Sequence, residues 1–120
     1  MSTILIIEDE DRQRATLKEV LETAGYAVLE AADGAAGVDA ARRSSPDLIL
    51  CDIDMPGVNG FQTLHQLKSD ERTAGIPFVF LTGSSDAMAG RLGRRLGAEE
   101  FIEKPFSFSK LLAVIGSRLA

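Results

Sequence analysis

The stretch "LILCDIDMPGVNG", residues 48–60, decides how this chain is read. A short apolar run ends in Asp52, a second carboxylate, Asp54, follows two residues later, and Pro56, Gly57 and Gly60 come next. The run reads as a buried strand, and a charge at its tip is costly unless it is paired or bound to a metal. Asp52 therefore implies partners supplied from elsewhere in the chain.

Working outward, strands and helices alternate. "TILII" (3–7) is a short β-branched run, and residues 11–24 carry Leu17, Val20, Leu21 and Ala24 at helical spacing, closed by Gly25. "AVLEA" (27–31) is a second strand, and the alanine-rich residues 33–45 a helix that Pro46 ends. "LILC" (48–51) is the third strand, followed by a helix over 60–70. Pro77 opens "FVFLT" (78–82), Ser85 and Asp86 cap a helix over 86–96, and "EEFIE" (99–103) is a fifth, partly polar strand. Phe108, Leu111, Leu112, Ile115 and Leu119 stripe the last helix. Five βα units in succession predict an α/β fold with a parallel sheet covered on both faces. Ligands of such sheets bind beyond the C-terminal ends of the strands, at the topological switch point.

The totals agree. The 120 residues suit one domain, 1–120, with a real core. A net charge of −5 argues against general nucleic-acid binding. The single cysteine, Cys51, rules out an internal disulfide and fits a reducing cytoplasm. The N-terminus has no basic region of a signal peptide, and no apolar run reaches the length of a membrane span.

The residues just after the strands share one edge of the sheet. They are Glu8 and Asp9 after the first, Asp52 after the third, Thr82, Gly83 and Ser84 at the fourth, and Lys104 and Pro105 after the fifth. Three crowded carboxylates repel, and one would protonate unless a cation intervened. All-oxygen ligands point to a hard ion, Mg²⁺ or Mn²⁺. Glu8, Asp9 and Asp52 together with one divalent cation and Lys104 make a neutral site, suited to receive a phosphoryl group on Asp52.

With these motifs in order, the chain resembles a receiver domain of the response-regulator family, the phospho-accepting half of two-component signalling, over essentially its whole length. The motifs are Glu8-Asp9, Asp52 before "IDMPGVNG", Thr82-Gly83, and "FIEKPF" (101–106) with Lys104. The resemblance implies a three-layer, flavodoxin-like (βα)5 fold with strand order 2-1-3-4-5. It implies that Asp52 accepts a phosphoryl group from a histidine kinase, a histidine phosphotransfer protein or a small phosphodonor. Asp9 and Asp52 would ligate Mg²⁺ directly, Glu8 through water, and the Asp54 backbone carbonyl would supply another ligand. Lys104 would pair with the phosphoryl group. The Thr82 hydroxyl would move to it, with Phe101 turning inward behind. The face of the fourth helix, fifth strand and fifth helix would then change partner affinity, with the protein a monomer or a phosphorylation-dependent dimer. The Lys104–Pro105 peptide is expected to be cis.

Departures from the usual pattern are visible. Glu8 stands where Asp is commoner, and its extra methylene favours a water bridge. Phe101 lacks the hydroxyl of the alternative Tyr. The Asp54 side chain and Ser84 flank the route to the phosphoryl group, where they can repel an anionic donor or orient an attacking water. His65 reads as a surface residue, and Cys51 as a small buried hydrophobe, with redox sensing as the alternative. Arg91, Arg94 and Arg95 share one face of a helix softened by Gly90 and Gly93, which suits an acidic partner or is simply a solvated arginine face.

Two further functional readings compete. "LILCDIDMPG" also resembles the first motif of haloacid-dehalogenase-type phosphohydrolases, with Asp52 as nucleophile and Asp54 as general acid. That motif normally lies on the first strand, and the reading leaves Glu8-Asp9 unexplained. The other is a degenerate receiver that binds partners without phosphorylation. No output segment follows Leu119-Ala120, so the chain is expected to be a stand-alone receiver or one cut from a larger protein.

Overall fold

The computed structural model describes residues 1–53, 59–82 and 87–119, the stretch 87–90 by its backbone alone. Five strands, β1 (Thr3–Ile7), β2 (Ala27–Ala31), β3 (Leu48–Asp52), β4 (Phe78–Thr82) and β5 (Glu100–Glu103), form one sheet in the order β2-β1-β3-β4-β5. Every pairing is parallel. The helices are α1 (Asp11–Thr23), α2 (Gly34–Ser44), α3 (Gly60–Lys68), α4 (Ala87–Arg95) and α5 (Phe108–Leu119). The expected α/β fold and strand order are observed.

Side chains alternate across the sheet, and each face has its own core. Leu5, Ile7, Ile49, Cys51, Phe78 and Phe80 pack with Val38 and Ala41 of α2 and Leu64 and Leu67 of α3. Ile4, Ile6, Leu48, Leu50, Val79, Leu81 and Ile102 pack with Leu17 and Leu21 of α1 and Leu111 and Ile115 of α5. Because both faces are covered, β1, β3 and β4 read as unbroken apolar runs rather than alternating ones.

Local chemistry sets the helix ends. Gly25 has φ +99° and closes α1 at C′ as its place in the sequence predicts. Its N–H reaches the Glu22 carbonyl at 3.0 Å and the Tyr26 N–H reaches that of Leu21 at 3.0 Å. The Asp33 side chain caps α2 by accepting from the Ala36 N–H at 2.8 Å. Asn59 and Gln62 form a reciprocal capping box at the start of α3.

Three details depart from expectation. The helix expected over 60–70 ends at Lys68. β5 begins at Glu100 rather than Glu99, whose N–H still bonds the Phe78 carbonyl. Phe108 does not join the α5 stripe; it is 47% exposed, and Phe106 packs against the cluster instead. The first turn of α5 is set by its cap, the Ser107 Oγ accepting from the Lys110 N–H at 3.0 Å, and not by burial of Phe108. Ser85 and Asp86, the expected N-cap of α4, lie outside the described residues.

Candidate functional site

In chain order β1 is followed by β2, yet β1 lies between β2 and β3 in the sheet. The crossovers therefore diverge at the C-terminal ends of β1 and β3, and a crevice opens there. The register carries the acids to it. Ile7 lies opposite Cys51, so Glu8 and Asp52, one residue further on, are brought side by side. Asp52 lies opposite Leu81, and Thr82 opposite Glu103, which sets Lys104 at the same edge.

Carboxylate oxygens of Glu8, Asp9 and Asp52 lie within 4.8 Å of one another. Lys104 answers them from the far side, its Nζ 3.5 Å from Asp52 Oδ1. The Lys104 N–H also donates to the Thr82 carbonyl at 2.6 Å, and the Lys104–Pro105 peptide is cis. Thr82 is buried at the end of β4.

Glu8 is the most constrained of the acids. It is only 2% exposed, and its Oε2 is buried with no hydrogen-bond partner among the described residues. Burial, then the hydrogen bond and negative charge of Asp52, push its pKa up from 4.5 to about 8, with Asp9 adding to the rise and Lys104 opposing it. Without a cation, Glu8 therefore holds a proton at neutral pH. An orphaned buried oxygen beside two further carboxylates, with no nitrogen or sulfur donor, fits a hard divalent cation. Direct ligands of one Mg²⁺ stand about 3–4 Å apart, so this cluster needs only a small contraction or a bridging water.

Other residues fix the walls. The Cys51 thiol donates to the Asp52 carbonyl at 3.2 Å. Burial and then the negative charges of Asp52 and Glu8 raise its pKa, so it is a neutral packing group rather than a reactive thiol. A Cβ on Gly60 would sit 2.8 Å from the Asp52 carbonyl oxygen and 2.8 Å from Ile53 Cα, so only glycine lets α3 start this close to the acid. Phe101 is half-buried, its ring centroid 5.1 Å from that of Phe80 and 5.9 Å from the Arg94 guanidinium. A Cβ on Gly93 would run into the Phe101 ring.

The predicted residues Glu8, Asp9, Asp52 and Lys104 thus converge. Asp54, Gly83 and Ser84 lie outside the described residues. His65 is exposed on α3. Arg91, Arg94 and Arg95 are exposed and line a groove with Leu92 on α4. Sequence reading missed three residues. Gly60 and Gly93 serve close approach, which only the packed partner reveals. Arg14 looks like the partner of Asp11 in a surface pair, but its Nη1 also donates to the Glu8 carbonyl at 2.8 Å.

Comparison with known proteins decides the family. The model of the response regulator receiver domain matches residues 4–116. The chain belongs to the response-regulator receiver family. This receiver is 39% identical to protein PilH of Pseudomonas aeruginosa over 120 residues, spanning all of this chain and 99% of PilH. It is 38% identical to the transcriptional regulator RpaA of Synechocystis over 119 residues, which is 99% of this chain but 49% of RpaA. Among solved structures, chemotaxis protein CheY4 of Vibrio cholerae superposes with a TM-score of 0.94 at 28% identity, covering 99% of both chains. The non-phosphorylated receiver domain of HemR from Leptospira biflexa gives 0.91 at 32% identity, covering all of this chain and 95% of the other. The receiver is thus a two-component signalling domain with an acidic pocket, and membership displaces the phosphohydrolase alternative. Among the described residues no helix is long and apolar enough to cross a membrane.

Proposed function

We propose that this receiver is a phosphorylation switch in which Asp52 accepts a phosphoryl group from a histidine kinase, a histidine phosphotransfer protein or a small phosphodonor. The observation that carries this is the convergence of three carboxylates against one ammonium at the switch point. Asp52 stands 3.5 Å from Lys104 and within 4.8 Å of the Glu8 and Asp9 oxygens. Such a cluster is unfavourable by itself and favourable around a cation and an incoming phosphoryl group.

Glu8, Asp9 and Asp52 would hold Mg²⁺, or Mn²⁺ in its place, and the ion would supply charge stabilisation at the phosphoryl oxygens. An Asp52 carboxylate oxygen is the nucleophile. As it bonds to phosphorus, the bond from phosphorus to the donor nitrogen or oxygen breaks, and the donor leaves with that electron pair. Lys104 neutralises the transferred group. Thr82, buried on the adjacent strand, and Phe101 behind it are the residues through which the change would reach α4, β5 and α5. There Arg91, Arg94 and Arg95 around Leu92 offer a basic face with an apolar centre, suited to an acidic protein segment.

Intact mass after incubation with acetyl phosphate tests the reading, with and without Mg²⁺, in wild type and Asp52→Asn. One added phosphoryl group that needs Mg²⁺ and vanishes in the variant is the expected result. If neither acetyl phosphate nor a phosphorylated kinase modifies the wild type, the site is a relic, and the chain is a constitutive binding module instead.

A further inference from the structure

We propose that Arg14 is the positioning residue of the acidic pocket, fixing the main chain of Glu8 so that the Glu8 and Asp9 carboxylates are held ready for a divalent cation. This rests on the reading of the pocket as a cation site.

Arg14 lies in the first turn of α1, and its guanidinium reaches three elements at once. Nη1 donates to the Glu8 carbonyl at 2.8 Å, Nη2 to Asp11 Oδ1 at 2.7 Å, and Nε faces Glu30 Oε1 on β2 at 3.5 Å. An ordinary surface pair would not account for this. Asp11 is 88% exposed, and such pairs contribute little. Arg14 itself is 18% exposed, and its contact away from solvent is the Glu8 carbonyl.

The other end of the same residue is also held, since the Glu8 N–H donates to the Ala31 carbonyl at 3.0 Å. Glu8 is thus tied to β2 through its N–H and to α1 through its carbonyl. That leaves little freedom in the turn that carries both acids. The effect is one of placement, because Arg14 holds the Glu8 carbonyl and not its carboxyl. A planar fork can serve a carbonyl and two carboxylates together, whereas a lysine ammonium is a single point charge on a flexible stem. Partners that orient metal ligands commonly govern affinity by about 10- to 100-fold.

The test is Mn²⁺ affinity, read from the free-ion electron paramagnetic resonance signal and by Mg²⁺ competition, alongside melting temperature. The proteins are wild type, Arg14→Ala, Arg14→Lys and Lys68→Met. Lys68 is a structural control. Its side chain is 19% exposed and bonds Glu99 at 2.9 Å, at the opposite end of the sheet. Arg14→Ala is expected to weaken Mn²⁺ binding about tenfold, and Arg14→Lys nearly as much despite its charge. Lys68→Met is expected to lower the melting temperature without moving the affinity. Wild-type affinity in Arg14→Ala, full rescue by lysine, or an equal loss in Lys68→Met would each overturn the proposal. A wild type that binds no Mn²⁺ overturns the cation reading itself, and this inference with it.

Discussion

Glu8 gives the sharpest handle on the pocket, because it is an acid that burial and Asp52 keep protonated. The perturbation is pH in metal-free protein, compared between wild type and Glu8→Gln. The folded-state pKa, about 8, lies above the ordinary 4.5, so between these values the folded state binds more protons than the unfolded chain. The stabilisation is therefore complete below about 4.5 and lost as pH rises through about 8. At about 1.4 kcal/mol per pH unit the ceiling is about 5 kcal/mol. An unfolding entropy of about 0.25 kcal/mol/K for a domain of this size sets the corresponding limit at about 20 °C in melting temperature. Calorimetry in a chelating buffer from pH 5 to 9 should show wild type losing stability with pH, well beyond any change in Glu8→Gln, which stays neutral throughout. Added Mg²⁺ should stabilise wild type more at pH 8 than at pH 6, because fewer protons compete for the site. Parallel wild-type and Glu8→Gln profiles would refute the idea that Glu8 carries the unfavourable charge.

Two further outcomes follow from packing. Gly93→Ala should gain about 1 kcal/mol of helix propensity yet destabilise the protein, because its Cβ would run into the Phe101 ring. Combined with Phe101→Leu, the same alanine should become neutral or stabilising in denaturant titrations. A rise in stability from Gly93→Ala alone would contradict this packing. Asn59→Ala removes the capping box at α3 and should cost about 1 kcal/mol, a shift of about 4 °C in thermal melts. An unchanged melting temperature would mean that the cap adds nothing to the fold.

Much of this was legible because local patterns and the global fold agree. Unbroken apolar runs such as "LILC", alternating with helical segments, read as central parallel strands, and the polar residues at the ends of four of the five strands marked the acidic edge in advance. The charges were legible too, since three acids and one lysine at strand ends need a cation to coexist. The depth of Glu8 was not, because burial depends on how β1 and β3 register and on what covers them. Phe108 misled for a related reason, as helical spacing marks which residues share a face but not where the covered sheet ends.

By itself, then, the sequence determined the alternation of strands and helices, the parallel sheet and the acidic edge with its lysine. These follow from periodicity, turn chemistry and charge, all of which are local. Only the tertiary structure decided which atoms meet. It brought Glu8 beside Asp52 and raised its pKa, set Phe101 against Gly93, and carried Arg14 to the Glu8 carbonyl while it also pairs with Asp11. Those contacts join residues from different elements, and their energies depend on separations of a few ångströms that no local pattern encodes.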